Sequence, residues 1–216
     1  MPSTLYWGLV DYPTALSRQL ELVDKRIQAK VDDTLIFVQH PPVFTISRRR
    51  RSKEHLLWPP STLKEKGIAL AETNRGGDIT YHGPGQLVAY AIIDLRSRPD
   101  LHAHLRRLEQ VVLAVLANLG LTASLCPGKT GVWLGNKKIA ALGVAVRHWV
   151  AYHGLAINVC NDLTPFEGII PCGIPREEGG VTSVEEALQS HFTVERLEPM
   201  VHGEFWKIFE KGPPYG

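Results

Sequence analysis

The feature that most constrains the fold is the stretch 131–159, which is rich in valine, isoleucine, alanine and tryptophan. β-Branched and aromatic residues favour strands, and the Gly135-Asn136 pair supplies a turn between two of them. We therefore predict β-hairpins here. The apolar run 87–95 predicts a central strand, and shorter runs at 5–10, 34–38 and 43–46 predict three more.

Four other segments have the apolar spacing or end signals of helices. They are residues 13–27, 61–66, 101–119 and 193–209. Pro13 suits the first turn of the first helix, and Gly67 and Gly120 suit the ends of the second and third. Strands grouped with strands, with helices between the groups, favour an α+β fold over alternating βαβ units.

We expect residues 1–216 to form a single domain, because one domain of this length can bury a full core. The alternative is a seam in the proline- and glycine-rich stretch 161–180, before a small C-terminal segment. The N-terminus has no secretory signal pattern, and the longest apolar stretch has only eight residues, 139–146. These patterns predict a cytoplasmic protein that does not span a membrane.

The charge and the cysteines exclude several classes of protein. A formal net charge of +2 argues against a dedicated nucleic-acid binder. Three cysteines, Cys126, Cys160 and Cys172, are an odd number without C-x-x-C spacing. This pattern argues against a disulfide framework and against a zinc site. We expect no metal, and a thiol in a reducing compartment is available for chemistry.

The segment RGGDITYHGPGQ, residues 75–86, concentrates four glycines and several hydrogen-bonding side chains between two strand-like runs. Glycines let a backbone approach a ligand closely and let its N–H groups line a concave site. The glycine spacing fits neither a dinucleotide fingerprint nor a P-loop. Taken alone, the pattern favours a structural turn over a binding loop.

Two residues have the setting of a nucleophile and its partner. Cys172 lies between Pro171 and Gly173, which places the thiol on a defined loop, although most lone cysteines are simply buried. Lys138 begins a strand of small and apolar residues, so its ammonium can face a cleft. An exposed hairpin lysine is the alternative, and it suits Lys137. A cation beside a thiol favours the nucleophilic thiolate.

Two weaker patterns have a structural and a functional interpretation each. In the segment HGLAIN, residues 153–158, glycine and alanine stand where bulkier residues would fill a pocket, or where strands pack tightly. The four consecutive arginines, Arg48, Arg49, Arg50 and Arg51, are typical of a solvated face. They also suit docking of an acidic macromolecule, and with a net charge near zero a carrier protein fits at least as well as a nucleic acid.

In order along the chain, HPPVFT, RGGDITYHGPGQLVAY, KIAALG, HGLAINV, PCGI and GVTS resemble the motifs of the lipoyl(octanoyl) transferases. That family is similar in fold to lipoate and biotin protein ligases. The resemblance implies an α+β fold with a mixed main sheet, a smaller second sheet and flanking helices. One departure is Ser47, where the family usually has glycine before its arginine pair. It bears on the conformation of that loop and not on the chemistry.

The resemblance also implies residue roles. Cys172 matches the family's acyl-thioester nucleophile and Lys138 its partner. The matching acyl-chain and carbonyl-binding residues are Arg75, Gly76, Gly77, Asp78, Ile79, Thr80, Tyr81, His82, Ala141, Leu142, Gly143, Gly154, Leu155 and Ala156. The small residues at 141, 143, 154 and 156 are expected to leave room for an apolar tunnel.

The implied function is transfer of an octanoyl group from octanoyl acyl carrier protein, through Cys172, to a lysine of a lipoyl domain. The implied acceptors are apo lipoyl domains of 2-oxoacid dehydrogenase complexes and the glycine cleavage H protein. Conversion of a thioester into an amide is downhill, so no cofactor, metal or ATP is expected. We expect a monomer that binds neither nucleic acid nor membrane.

Three rival functions differ from this one in a feature of the chain. An ATP-dependent lipoate or biotin ligase has a third glycine where this chain has Asp78, and needs no cysteine at position 172. A non-catalytic module that binds lipoyl or carrier domains would only pack Cys172. A nucleic-acid binder would need aromatic residues near the arginine run, where only Trp58 qualifies.

Overall fold

The computed structural model describes residues 1–47, 54–170 and 179–210. Its strands are β1 Ser3–Leu9, β2 Thr34–Gln39, β3 Val43–Ser47, β4 Ala69–Thr73, β5 Thr80–His82, β6 Gln86–Asp94, β7 Ser124–Cys126, β8 Lys129–Leu134, β9 Lys137–Arg147 and β10 Val150–Asn158. Its α-helices are α1 Tyr12–Ile27, α2 Pro60–Glu65, α3 Leu101–Asn118, α4 Val184–Leu188 and α5 Val194–Glu210, and Thr164–Gly168 forms a 3₁₀ turn.

The strands form one large and one small sheet. The main sheet has the order β1-β2-β6-β10-β9-β8-β7, and the small sheet has the order β4-β3-β5. Among the strands of the described residues, only β1–β2 in the main sheet and β3–β4 in the small sheet pair in parallel. Because α1 and α2 connect these parallel pairs, the fold contains two local βαβ units that the sequence grouping did not predict.

The two faces of the main sheet are covered differently. Helices α3 and α5 cover one face, where Leu108, Val112, Leu197 and Phe205 are fully buried. Helix α1 covers part of the other face through residues such as Val23. Helix α1 packs mainly against β6 and β10, and the loop that joins β4 to β5 reaches β9, where the Gly76 N–H donates to the Val144 carbonyl.

The ends of the helices follow from local chemistry. The Asp11 side chain accepts a hydrogen bond of 2.9 Å from the Thr14 N–H and so caps α1. The helix starts at Tyr12, one residue before the predicted start. Gly67 and Gly120 adopt positive φ angles of 64° and 76° just after α2 and α3, as predicted from their positions. None of the helices in residues 1–47, 54–170 and 179–210 is sufficiently long and apolar to cross a membrane.

Candidate active site

A cleft of about 510 Å³, including its open mouth, lies between the α1-facing side of the main sheet and the loop that joins β4 to β5. Of the predicted binding residues, those that line it are Arg75, Gly77, Asp78, Ile79, Thr80, His82, Ala141, Leu142, Gly143, Gly154, Leu155 and Ala156. The structure therefore brings together three segments that are far apart in sequence. Their binding roles stay predictions.

Gly76 and Tyr81 are not among the lining residues. Tyr81 packs between Phe44 and Phe166 in the core under the small sheet, with ring centroids 5.7 and 5.5 Å away. The Gly76 N–H donates a 2.8 Å hydrogen bond to the Val144 carbonyl. Both residues support the cleft wall.

Arg75 fastens the cleft loop to the small sheet. Its Nη2 donates to the Thr45 carbonyl at 3.0 Å and to the Thr45 hydroxyl at 2.9 Å, while Nη1 donates to the Gly76 carbonyl at 3.1 Å. Since Gly76 is also bonded to β9, this loop spans both sheets and fixes the width of the cleft.

The two glycines of the cleft strands do not leave empty space for a ligand, which corrects one sequence-based expectation. A Cβ on Gly154 would lie 2.2 Å from the Ala89 carbonyl oxygen, and one on Gly143 would lie 2.8 Å from the Gly76 carbonyl oxygen. Neighbouring backbone takes the space that a side chain would need. Ala141 and Ala156 are the small residues whose size leaves the cleft open.

Four further residues line the cleft: Tyr12, Val88, Tyr90 and His153. The sequence did not predict them, because the pattern around each one is typical of a helix start or a buried strand. His153 alone had a local indication, since it directly precedes Gly154 in the HGLAIN segment. The Tyr90 hydroxyl lies 2.7 Å from His40 Nε2, and the Tyr12 hydroxyl donates to the Thr73 hydroxyl at 2.7 Å. These internal partners hold the polar tips away from a ligand.

The two histidines of the cleft are uncharged near neutral pH. Burial lowers the pKa of His82 to about 3, and burial together with the nearby Arg75 cation lowers the pKa of His153 to about 3. Burial also raises the pKa of Tyr90 well above its ordinary value. Apart from Arg75 and Asp78, which are bonded to Thr45 and His55, the lining is therefore uncharged, which suits an apolar chain.

Asp78 connects the cleft to a neighbouring loop. Its carboxylate pairs with His55 Nδ1, and its other oxygen accepts a 2.8 Å hydrogen bond from the Ile79 N–H. The His55 carbonyl in turn accepts a 2.9 Å bond from the Ile170 N–H. Asp78 therefore helps to order both sides of the cleft mouth.

Lys138 is buried rather than exposed, with 6 % of its surface accessible, whereas Lys137 is exposed. Its Nζ donates a 3.0 Å hydrogen bond to the Thr130 carbonyl and lies 5.2 Å above the Trp133 ring. Burial raises the pKa of the nearby Glu109 carboxyl, and the Lys138 ammonium is one of the groups that oppose this rise. The hydrogen bond and the aromatic ring offset part of the cost of burying the ammonium, and its catalytic role stays a prediction.

Gly131, which sequence reasoning missed, makes the buried position of Lys138 possible. Its φ is +144°, and a Cβ there would lie 2.4 Å from Lys138 Cε and 3.1 Å from Lys138 Nζ. The Gly131 N–H also donates to Glu109 at 3.3 Å. A side chain at this position would displace the ammonium.

We expect Gly131→Ala to lower the acyl-transfer rate about 10- to 100-fold, because a displacement of about 1 Å in a reacting group has effects of this size. The matched control is Gly128→Ala, at φ +75° on the neighbouring turn, where a Cβ meets nothing within 4 Å. Both substitutions strain the backbone, but only the side chain introduced at position 131 would contact Lys138. The comparison uses single-turnover rates, measured at a temperature where both variants remain folded. Equal rates for the two variants would mean that the position of Lys138 is not critical.

Cys172 and the arginine run, Arg48, Arg49, Arg50 and Arg51, lie outside the described residues. On the C-terminal side of the cysteine segment, the Lys138 N–H donates to the Gly180 carbonyl at 2.8 Å, and the Thr182 N–H donates to the Lys138 carbonyl at 3.0 Å. Gly180 and Thr182, the first of them six residues after PCGI, are thus paired with Lys138.

The other two cysteines are free thiols. Burial raises the pKa of Cys160, whose Sγ lies 3.8 Å from the Gly85 carbonyl oxygen, so this thiol is poorly suited to be a nucleophile. Within the described ranges, no group of three or more histidine, cysteine or acidic residues has the arrangement of a metal site.

Comparison with known proteins identifies the family. The model of the lipoyl protein ligase A/B catalytic domain matches residues 11–206. The chain belongs to this family. Within it, the chain is 44% identical over 204 residues to an octanoyltransferase of Gloeobacter violaceus, covering 94% of this chain and 87% of that protein. It is also 44% identical over 204 residues to a chloroplastic octanoyltransferase of Arabidopsis thaliana, covering 91% and 70%.

The solved structures agree on the fold of the lipoyl protein ligase A/B family. A bipartite lipoate protein ligase from Thermoplasma acidophilum superposes with a TM-score of 0.73 at 21% identity, over 97% of this chain and 84% of that one. A biotin protein ligase from Aquifex aeolicus superposes less closely, at 0.59 and 13%, over 100% and 73%. The predicted family, α+β fold and acyltransferase function are confirmed.

Proposed function

We propose that the chain transfers an octanoyl group from octanoyl acyl carrier protein to a lysine of a lipoyl domain, through a thioester on Cys172. The observation that carries this proposal is the meeting of three predicted segments in one largely apolar cleft near a buried lysine. Thr80, Ala141 and Ala156 line both the cleft and a smaller cavity that reaches Lys138. An acyl chain in the cleft would therefore have its reactive end on the Lys138 side.

A wider groove on the outer side of Lys138 would admit the second substrate. It encloses about 1870 Å³, open to solvent, and its walls include Lys129, Trp133, Lys137 and Phe166. The acyl group arrives on the carrier and leaves on the acceptor lysine, so the two partners must reach the same reaction centre one after the other. A groove that shares Lys138 and Phe166 with the smaller cavity fits the arm of the carrier first and the acceptor lysine second.

The reaction consists of two acyl transfers. The Cys172 thiolate attacks the thioester carbonyl of the carrier, the bond from the acyl carbon to Cys172 Sγ forms, and the bond to the carrier sulfur breaks. The carrier leaves as a thiol with a proton from the Lys138 ammonium. The acceptor amine then attacks the octanoyl-S-Cys172 carbonyl, the C–N bond forms, the C–S bond breaks, and Cys172 leaves as a thiolate. The proton lost by the amine returns to Lys138 and restores the ammonium. Both steps balance without a nucleotide, a metal or an oxidant.

Lys138 would serve both steps. As an ammonium it favours the thiolate form of Cys172, and as a proton acceptor it assists the incoming amine. Its 3.0 Å hydrogen bond to the Thr130 carbonyl and its place above Trp133 hold the side chain in one position. A fixed cation stabilises a thiolate more effectively than a mobile one on an exposed stem.

The remaining expectations belong to the same proposal. We propose apo lipoyl domains of 2-oxoacid dehydrogenase complexes and the glycine cleavage H protein as acceptors. The cytoplasmic location, the monomeric state and a single domain over residues 1–216 stay predictions from the sequence.

Transfer without nucleotide is the test that separates this function from that of a ligase. We expect octanoyl carrier protein and an apo lipoyl domain to give octanoylated domain in buffer treated with apyrase. The expectation rests on Asp78 in place of a third glycine and on Cys172, since a thioester already holds the activation energy. Intact-mass spectrometry of the lipoyl domain measures the product. Product formation only after ATP is restored would assign the chain to the ligases.

A further inference from the structure

His153 has a backbone conformation that a strand residue rarely adopts. It lies within β10 with φ of +61°, in the left-handed region that is unfavourable for residues with a side chain. Successive side chains of a strand normally point to opposite faces. Here the rings of Tyr152 and His153 stack, with centroids 4.8 Å apart and planes 29° from parallel. The left-handed backbone therefore turns His153 onto the face that carries the cleft.

The His153 ring is held in place from several sides. Its Nε2 lies 2.9 Å from Asn74 Oδ1, and Asn74 Nδ2 donates to the Tyr152 hydroxyl at 2.5 Å. The His153 N–H donates to Gln19 Oε1 at 3.1 Å. The ring meets the Tyr90 ring edge-on at 6.1 Å, and only 2 % of the residue is exposed. A ring held this firmly does not move aside for a ligand.

The sheet register places this ring at the end of the cleft that is farther from Lys138. Three rows of side chains cross the sheet on this face: Val88, Ala156 and Ala141; then Tyr90, Gly154 and Gly143; then, across β10 and β9 alone, Tyr152 and Ala145. The first two rows line the cleft and the third does not. Along β9 the first row is the one nearest to Lys138, so the cleft ends beyond the second row, where His153 lies.

We propose that His153 is the wall that limits the length of the acyl chain and is a specificity-determining residue of this enzyme. The inference rests on the proposed function, because it takes the acyl chain to enter from the Lys138 side. Strained backbone persists where the surrounding structure fixes it, and it is concentrated at functional sites. The strain at His153 places a ring across the path of the chain. Because that ring is uncharged near neutral pH, an apolar chain end can rest against it.

Two variants reduce the size of the side chain at position 153 in different ways. His153→Gly removes the ring and the backbone strain, and His153→Asn keeps a residue that tolerates the left-handed conformation but is shorter. The matched control is His148→Gly. His148 is another left-handed histidine, at φ +50° in the turn between β9 and β10, exposed and outside the cleft.

Dissociation constants for octanoate, decanoate and dodecanoate, measured by calorimetry, give a readout that does not depend on catalysis. We expect decanoate to bind wild type and His148→Gly no more tightly than octanoate. In His153→Gly the ratio of decanoate to octanoate affinity should rise about 15-fold, since decanoate has two more methylenes and each one that is buried contributes about a factor of four. His153→Asn should shift the ratio in the same direction. Ratios equal to wild type in both folded variants would overturn the proposal, because a purely structural histidine changes stability alone.

A parallel assay separates this inference from the proposed function. The same proteins are incubated with octanoyl and decanoyl carrier protein, and acylation of Cys172 is followed by intact mass. Acylation of wild type by octanoyl carrier protein with an unchanged fatty-acid ratio in the variants would overturn the wall alone. A shifted fatty-acid ratio without any acylation of wild type would support the wall and contradict the proposed function.

Discussion

Replacing Lys138 with methionine should lower the rate of octanoyl transfer by a factor of about 10² to 10⁴ and leave the fold intact, because positioned proton transfer contributes about this much. Methionine matches the volume of the lysine stem, so it preserves packing against Trp133 and the space beside Gly131. It removes only the ammonium. Without that cation the pKa of the Cys172 thiol should rise toward about 8.5, the value of a free thiol.

The neighbouring lysine provides the matched control. Lys137→Met makes the same chemical change one residue away, at an exposed position on the wall of the outer groove. It alters the groove but not the buried cation, so it should leave the alkylation pKa of Cys172 unchanged. Lys138→Ala should be as inactive as Lys138→Met but less stable, since it leaves a cavity. Lys138→Arg is less informative because Lys138 Cε and Nζ already lie close to Gly131, and a guanidinium needs more room.

Two measurements together decide the role of Lys138. The first is the pH dependence of iodoacetamide alkylation at Cys172, resolved by peptide mapping because Cys126 and Cys160 are also free thiols. The second is single-turnover transfer to a lipoyl domain. A higher alkylation pKa with slower transfer supports the pair. An alkylation pKa in Lys138→Met equal to that of wild type would show that the two side chains do not interact.

Elements with a local signal were predicted well from the sequence. The stripe in residues 101–119 became α3, and the run 87–95 became the central strand β6, both within one residue at each end. Apolar periodicity and a terminal glycine are sufficient in such segments, because burial of one face determines the structure. The strand predicted at 5–10 lies instead at Ser3–Leu9, because its pairing with β2 sets its limits.

Elements that depend on distant partners were missed. β4, Ala69–Thr73, is mostly exposed and has no β-branched residue before Thr73, so only its parallel pairing with β3 makes it a strand. β5 has three residues and lies within the glycine-rich segment that reads as a turn. α4, Val184–Leu188, starts at the Ser183 cap, whose hydroxyl accepts a 3.2 Å bond from the Glu186 N–H, and is too short for a periodic pattern.

The candidate site shows the same division. Motif residues such as Arg75 and Ala156 were found because the family motifs name them, and they line the cleft. Tyr12 and Tyr90 reach the cleft only through the packing of α1 against β6, which no local pattern encodes. Gly131 was read as the start of a strand, and its contact with Lys138 depends on the pairing of β8 with β9.

Replacing Cys172 with alanine should abolish both formation of the acyl-enzyme and transfer to the lipoyl domain. The reason is chemical: Cys172 is the cysteine that matches the family's nucleophile, burial raises the pKa of Cys160, and Cys126 lies on β7, outside both the cleft and the smaller cavity. Loss of a nucleophile in covalent catalysis removes the pathway rather than slowing one step. Cys126→Ala and Cys160→Ala are the matched controls and should keep the acylated species.

The intact mass of the protein after incubation with octanoyl carrier protein, without nucleotide or lipoyl domain, tests the central claim most directly. We predict one added octanoyl group in wild type, located on Cys172 by peptide mapping, and its disappearance when apo lipoyl domain is added. The Cys172→Ala protein should keep its unmodified mass. An octanoyl group that persists in Cys172→Ala, or transfer by that variant at the wild-type rate, would contradict the account.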